Sequence, residues 1–91
     1  MSKIKVKLKG SFTNKSVAVD GWVVWLTGLG DTFTGEISIE PGEHKLDWAV
    51  QGMPGDTFEV ALSGDTEDWS QTGLRIGNDG HGPGRYRFQV R

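Results

Sequence analysis

The sequence predicts an all-β fold, a single antiparallel sandwich of about seven strands over residues 1–91, with a small β-barrel as the alternative closure. Three observations predict it. Apolar residues recur at every second position through most of the chain, and no window of ten or more residues carries a helical period. Turn-forming residues also punctuate the chain at intervals of about 8–12 residues. Length allows one core, and the absence of Cys means that core folds without disulfides or thiolate metal sites. The 14 glycines, about twice ordinary usage, fit short strands joined by tight turns.

The first strand is the clearest alternation: Ile4, Val6 and Leu8 on one face, Lys3, Lys5, Lys7 and Lys9 on the other. Val17 and Val19 resume the pattern after a turn-like stretch. Asp20-Gly21 interrupts it as a bulge or bend, and Trp22-Val23-Val24-Trp25-Leu26, apolar on both faces, reads as a central strand. Phe33, Ile37 and Ile39 alternate with polar residues up to Glu40-Pro41-Gly42-Glu43, a type II turn by composition. His44, Leu46, Trp48 and Val50 then point inward. A second Pro-Gly turn, Met53-Pro54-Gly55-Asp56, leads to Phe58, Val60 and Leu62, so that three consecutive strands are expected to form a meander. The acidic segment from Asp65 to Asp68 reads as a loop, and Thr72 to Ile76 as a short strand. Gly77 to Gly84, with four glycines, reads as a loop before a last strand carrying Tyr86, Phe88 and Val90 inward.

This layout resembles immunoglobulin-like and fibronectin-type sandwiches in strand count and length. The resemblance rests on pattern alone, since the Cys…Trp…Cys hallmark of immunoglobulin domains is absent.

The net charge of −2 conceals a segmentation: +4 over residues 1–20, −9 over 21–70 and +3 over 71–91. The simpler reading is that basic terminal strands lie beside acidic ones and that the four lysines guard an exposed edge. The functional reading is a basic face shared by those lysines with Arg85, Arg87 and Arg91, meeting an anionic partner or another copy's acidic surface. Nucleic acid is not the expected partner, because Tyr86 and Phe88 fall on the face opposite the arginines.

Three groups of residues carry candidate binding chemistry. Trp69 lies beside an acidic loop without periodic neighbours to bury it; an exposed indole flanked by Asp65, Asp68 and Gln71 is suited to stacking on a sugar ring. Trp22 and Trp25 occupy opposite faces of one expected strand, so at least one is covered by another layer or exposed. The glycine loop presents Asn78, Asp79 and His81; it lacks the Gly-Lys-Ser/Thr ending of a phosphate-binding loop and reads as a partner-contacting or connecting loop. Calcium could be held by oxygens of Asp65, Glu67, Asp68 and Asp79, but these lack EF-hand spacing and come from different loops. No catalytic motif occurs, and His44 sits among inward apolar residues where a structural role is the ordinary one.

The expected function is therefore a non-enzymatic protein-interaction or assembly module presenting the Asp65–Gln71 and Gly77–Gly84 loops, its partner another protein or a second copy of itself. The alternative is a carbohydrate-binding module using an exposed Trp. No cofactor and no membrane partner are expected. The start lacks a signal-peptide apolar run and no stretch reaches the length of a membrane span, so a cytoplasmic site is expected, though a mature secreted domain would read the same.

Overall fold

The computed structural model describes residues 1–91 and contains nine strands and no helix. They are β1 (Ser2–Lys9), β2 (Asn14–Val19), β3 (Trp22–Val23), β4 (Thr27–Leu29), β5 (Thr32–Ile39), β6 (Gly42–Gln51), β7 (Thr57–Gly64), β8 (Trp69–Arg75) and β9 (His81–Val90). Two antiparallel sheets face each other, one ordered β4-β5-β1-β7-β8 and the other β3-β2-β6-β9. The fold is a β-sandwich; each sheet keeps two free edges, so the barrel alternative is excluded. Nine strands rather than about seven arise because β3 and β4 are stubs of two and three residues.

Period-2 patterning builds the core as expected. Ile4, Val6 and Leu8 of β1, Val17 and Val19 of β2, Leu46, Trp48 and Val50 of β6, Phe58, Val60 and Leu62 of β7, and Phe88 and Val90 of β9 are all buried between the sheets. Connectivity is where the structure departs. The expected meander does not form: β5 and β7 belong to the five-stranded sheet and β6 to the other. Glu40-Pro41-Gly42 is accordingly an arch from one sheet to the other rather than a hairpin turn, and alternation could not distinguish the two, because each path leaves the apolar residues facing the same core. At Met53–Asp56 the turn is as read, with Asp56 N–H donating to the Met53 carbonyl over 3.1 Å and Gly55 at φ 88°. Gly55→Val, with nothing near its side chain to compensate, is expected to cost about 1 kcal/mol or more through strain at positive φ, read as a lower urea midpoint with an unchanged slope.

The lysine-rich strand lies in the middle of its sheet, paired with β5 on one side and β7 on the other, so it guards no edge. Its lysines project from the outer face of one sheet, whereas Arg85 and Arg87 project from the outer face of the other. The expected shared basic face is thus split across the sandwich. The arginines are also engaged, Arg85 with Asp47 at 2.6 Å and Arg87 with Glu43 at 3.4 Å. Edge protection falls instead to β9, through Pro83, Arg85 and Arg87, and to β8, through a bulge opposite Phe58–Val60 with Gly73 at φ 71°.

Strand β9 begins at His81, which shortens the expected loop of Gly77 to Gly84 to a turn over residues 77–80 closed by Gly80 N–H to the Gly77 carbonyl at 2.9 Å. Gly82 and Gly84 are inward strand positions whose missing side chains leave room for the rings of Phe58 and Trp48. The Trp48 indole N–H is buried against this strand without a hydrogen-bond partner.

Candidate functional site

The structure separates the candidate residues into three places. Trp69 starts β8, three residues earlier than the expected strand, and half-buries itself between the sheet edges. Its ring stacks on Tyr86 with centroids 3.8 Å apart and planes 8° from parallel, and Trp48 lies 6.2 Å away. The periodic neighbour that the sequence lacked comes from β9, seventeen positions along the chain. Trp69 closes this side of the core and is not the free indole a sugar platform needs. Asp65 is likewise structural: its carboxylate accepts the Lys3 N–H at 2.9 Å, and its backbone bonds Lys3 and Arg91. Thr66 beside it is 2% exposed and donates its hydroxyl to the Gln89 carbonyl at 2.6 Å, so the acidic segment ties the two sheets together. Asp68 and Gln71 are exposed.

Asn78, Asp79 and His81 lie at the opposite end of the sandwich from Asp65 and Asp68, because β8 runs the length of its sheet between them. The two loops expected to form one presenting surface therefore do not, and the carboxylates considered for calcium are divided between the ends. Asp79 accepts the His81 N–H at 3.0 Å, and His81 Nδ1 lies 3.3 Å from Gln51 Nε2.

Trp22 and Trp25 stand on the other long side, where β3 and β4 close the two sheets. Asp20-Gly21 is a two-residue hairpin turn, with φ values of 52° and 84° as a type I′ turn requires, rather than a bulge. The turn makes β3 a two-residue edge ribbon instead of a central strand. The chain then crosses to the second sheet, pinned by buried Val24 and half-buried Leu26, and returns through a two-residue turn at Gly30-Asp31. Gly35 makes the crossing possible: any Cβ there would meet the Trp25 carbonyl and the Val24 side chain. Around these anchors Trp22 is 76%, Val23 60%, Trp25 85% and Leu29 93% exposed. Four large apolar side chains thus project from eight consecutive residues, where a monomer's surface more commonly carries them singly.

A groove of about 500 Å³ adjoins this ridge, lined by Trp22, Val23, Ile37, Ile39, Glu40 and His44 among others. His44 Nδ1 is 2.5 Å from the Asp20 carboxylate and Nε2 is 2.7 Å from the Glu40 carbonyl. Both ring nitrogens face acceptors, so the imidazolium is the form that satisfies both. The Asp20 hydrogen bond raises the His44 pKa above its usual 6.5, and the same bond, aided by the Lys45 N–H, lowers that of Asp20 below 3.8. His44 therefore stabilises the fold fully below about pH 6.5 and loses that contribution as pH rises through its raised pKa. Asp20 contributes above about pH 3.8 and loses its share as pH falls through its lowered value. Asp20→Asn keeps a residue tolerant of positive φ while removing the charge. It is expected to flatten the decline in thermal midpoint as pH rises above about 6.5, and an unchanged slope would show that the pair does not set it.

Neither a family model, nor a curated protein, nor a solved structure matches the chain. Leu29 and Glu40 carry no mark of a site in the sequence, Val23 reads there only as part of an apolar strand, and nothing in it pairs Asp20 with His44. One signal for them is present: Asp-Gly between alternating apolar residues is a strong hairpin marker, and it places the next strand on a sheet edge.

Proposed function

We propose that this protein is a non-enzymatic module that binds another protein through the ridge of Trp22, Val23, Trp25 and Leu29. The observation that carries the reading is the exposure of these side chains on a backbone held by buried Val24 and the close approach at Gly35. Exposed aromatic anchors on a rigid support are what interface hot spots are made of, since little ordering entropy opposes their burial. Charge defines the chemistry of the partner. Of the five carboxylates between Ser16 and Glu43, a stretch without Lys or Arg, Asp31 and Glu40 make no ion pair and Glu36 only an exposed one with Lys3 at 3.8 Å, so the complement is an apolar surface bordered by basic residues. A two-fold contact between copies of the ridge would oppose like charges.

The test compares proteins retained by the immobilised wild type, by a Trp25→Ser/Leu29→Ser variant, and by a Lys7→Ser control on the far sheet face. A basic protein retained by wild type and control, lost from the ridge variant and released by salt is the expected result. Retention indifferent to the ridge, or no retained protein at all, would refute the reading.

A second reading, carbohydrate binding, is favoured by one observation: the exposed Trp22 indole shares a groove with Glu40, which makes no ion pair. Titration of polysaccharides against Trp fluorescence tests it, and a flat response across them would remove it.

A further inference from the structure

Strand β5 is paired along its whole length on one side and along three residues on the other. β1 covers it from Thr32 to Ile39, whereas β4 reaches only Thr32, Phe33 and Thr34. At Gly35 the Val24–Trp25 crossing ends the ladder. From Glu36 to Ile39 the outer edge of the strand has no backbone partner. In antiparallel pairing alternate residues aim both N–H and C=O to the same side, so this stretch offers the donors and acceptors of a missing strand.

The other edges are defended: β9 by Pro83, Arg85 and Arg87, β8 by its bulge, and the Asn14–Ser16 stretch of β2 that β3 leaves uncovered by Lys15. The Glu36–Ile39 edge carries no proline, bulge or lysine. It also opens onto the groove beside Trp22: Ile37, Ser38, Ile39 and Glu40 form one wall, and Trp22, Val23 and His44 form the other. A strand laid along this edge would continue the line of β4, with every second side chain entering the groove against Ile37, Ile39 and Trp22.

Resting on the reading that this side of the molecule docks a protein, we infer that an extended basic segment of the partner adds as a strand to β5 along Glu36–Ile39. Backbone pairing supplies the attachment and alternate apolar side chains fill the groove, a recurring mode of peptide recognition. Basic residues are required by what borders the edge. Glu40 has no ion pair, Glu36 has only an exposed contact with Lys3 at 3.8 Å, and the Asp20 carboxylate is already satisfied by His44 and the Lys45 N–H. The same carboxylates argue against a second copy as the occupant, since antiparallel pairing of two β5 edges would bring Glu36 and Glu40 of both chains together.

The probes are blocked synthetic octapeptides: one alternating Val and Lys, one alternating Val and Glu, and the Val-Lys peptide N-methylated throughout. Trp fluorescence reports occupancy and amide hydrogen exchange locates it. The Val-Lys peptide is expected to bind saturably and to slow exchange at amides within Glu36–Ile39 while leaving β8 and β9 unchanged. The Val-Glu and N-methylated peptides are expected not to bind, and Glu40→Gln to weaken the Val-Lys peptide. No binding by the Val-Lys peptide, equal binding by its N-methylated form, or protection at another edge would overturn strand addition. Any of these leaves the ridge reading standing, because that reading fails separately, through partner retention that ignores Trp25→Ser/Leu29→Ser.

Discussion

Gly84→Val is expected to destabilise the domain by about 3 kcal/mol, lowering the thermal midpoint by more than about 10 °C. Position 84 faces inward on β9, directly opposite Trp48 in the register with β6, and the indole fills the space where a side chain would start. A Cβ at this position would occupy the same space as the indole atoms Cζ2, Cε2 and Nε1. The clash is with a ring that is 4% exposed and held by the core, so neither partner can swing into solvent. The cause can be isolated by a double-mutant cycle. Phe is smaller than Trp and lacks the benzo-ring atom Cζ2 that comes nearest, so the cost of Gly84→Ala is expected to shrink in a Trp48→Phe background. Equal costs in the two backgrounds would show that the glycine is required for another reason.

Trp69→Ala is expected to cost about 2–3 kcal/mol, somewhat less than a fully buried Trp, and to leave ligand and partner binding unchanged. The ring is stacked against Tyr86 and leans on Trp48, so its removal opens the side of the core where β8 and β9 meet. Chemical denaturation measures the loss. Unaltered stability together with a loss of glycan affinity would reverse the assignment and restore Trp69 as a binding residue. The contrast with Trp25 is the useful one: 85% exposed, it is expected to matter for binding and little for folding.

These two tryptophans show how far the sequence alone reaches. Both lie outside any clean alternation, and by sequence both are candidates for exposure. Trp69 is covered by Tyr86 of β9, and such a contact between edges of different sheets leaves no local periodicity to detect. Trp22 and Trp25 are exposed because Asp20-Gly21 folds as a type I′ turn and because the chain changes sheets at Val24–Leu26. The turn is legible in principle from Asp-Gly between apolar positions. The crossing is not, because a run that is apolar on both faces reads equally as a central strand or as a segment with two buried anchors and three exposed side chains. The lysines of β1 make the same point: their alternation identifies the strand and its outer face, but not whether that strand is central or at an edge.

Local pattern alone determined that this chain is a two-sided β domain, which residues of β1, β2 and β7 face the core, and where Met53–Asp56 turns. Those properties depend on alternation and on dihedral preferences, which act between neighbours in sequence. Tertiary structure alone decided which strands share a sheet, which loops share an end, and which aromatic rings remain uncovered. Pairing and coverage depend on groups far apart in the chain. The edge left open at Glu36–Ile39 is the clearest example, since it exists only because β4 begins at Thr27, opposite Thr34, and Gly35 admits the crossing segment.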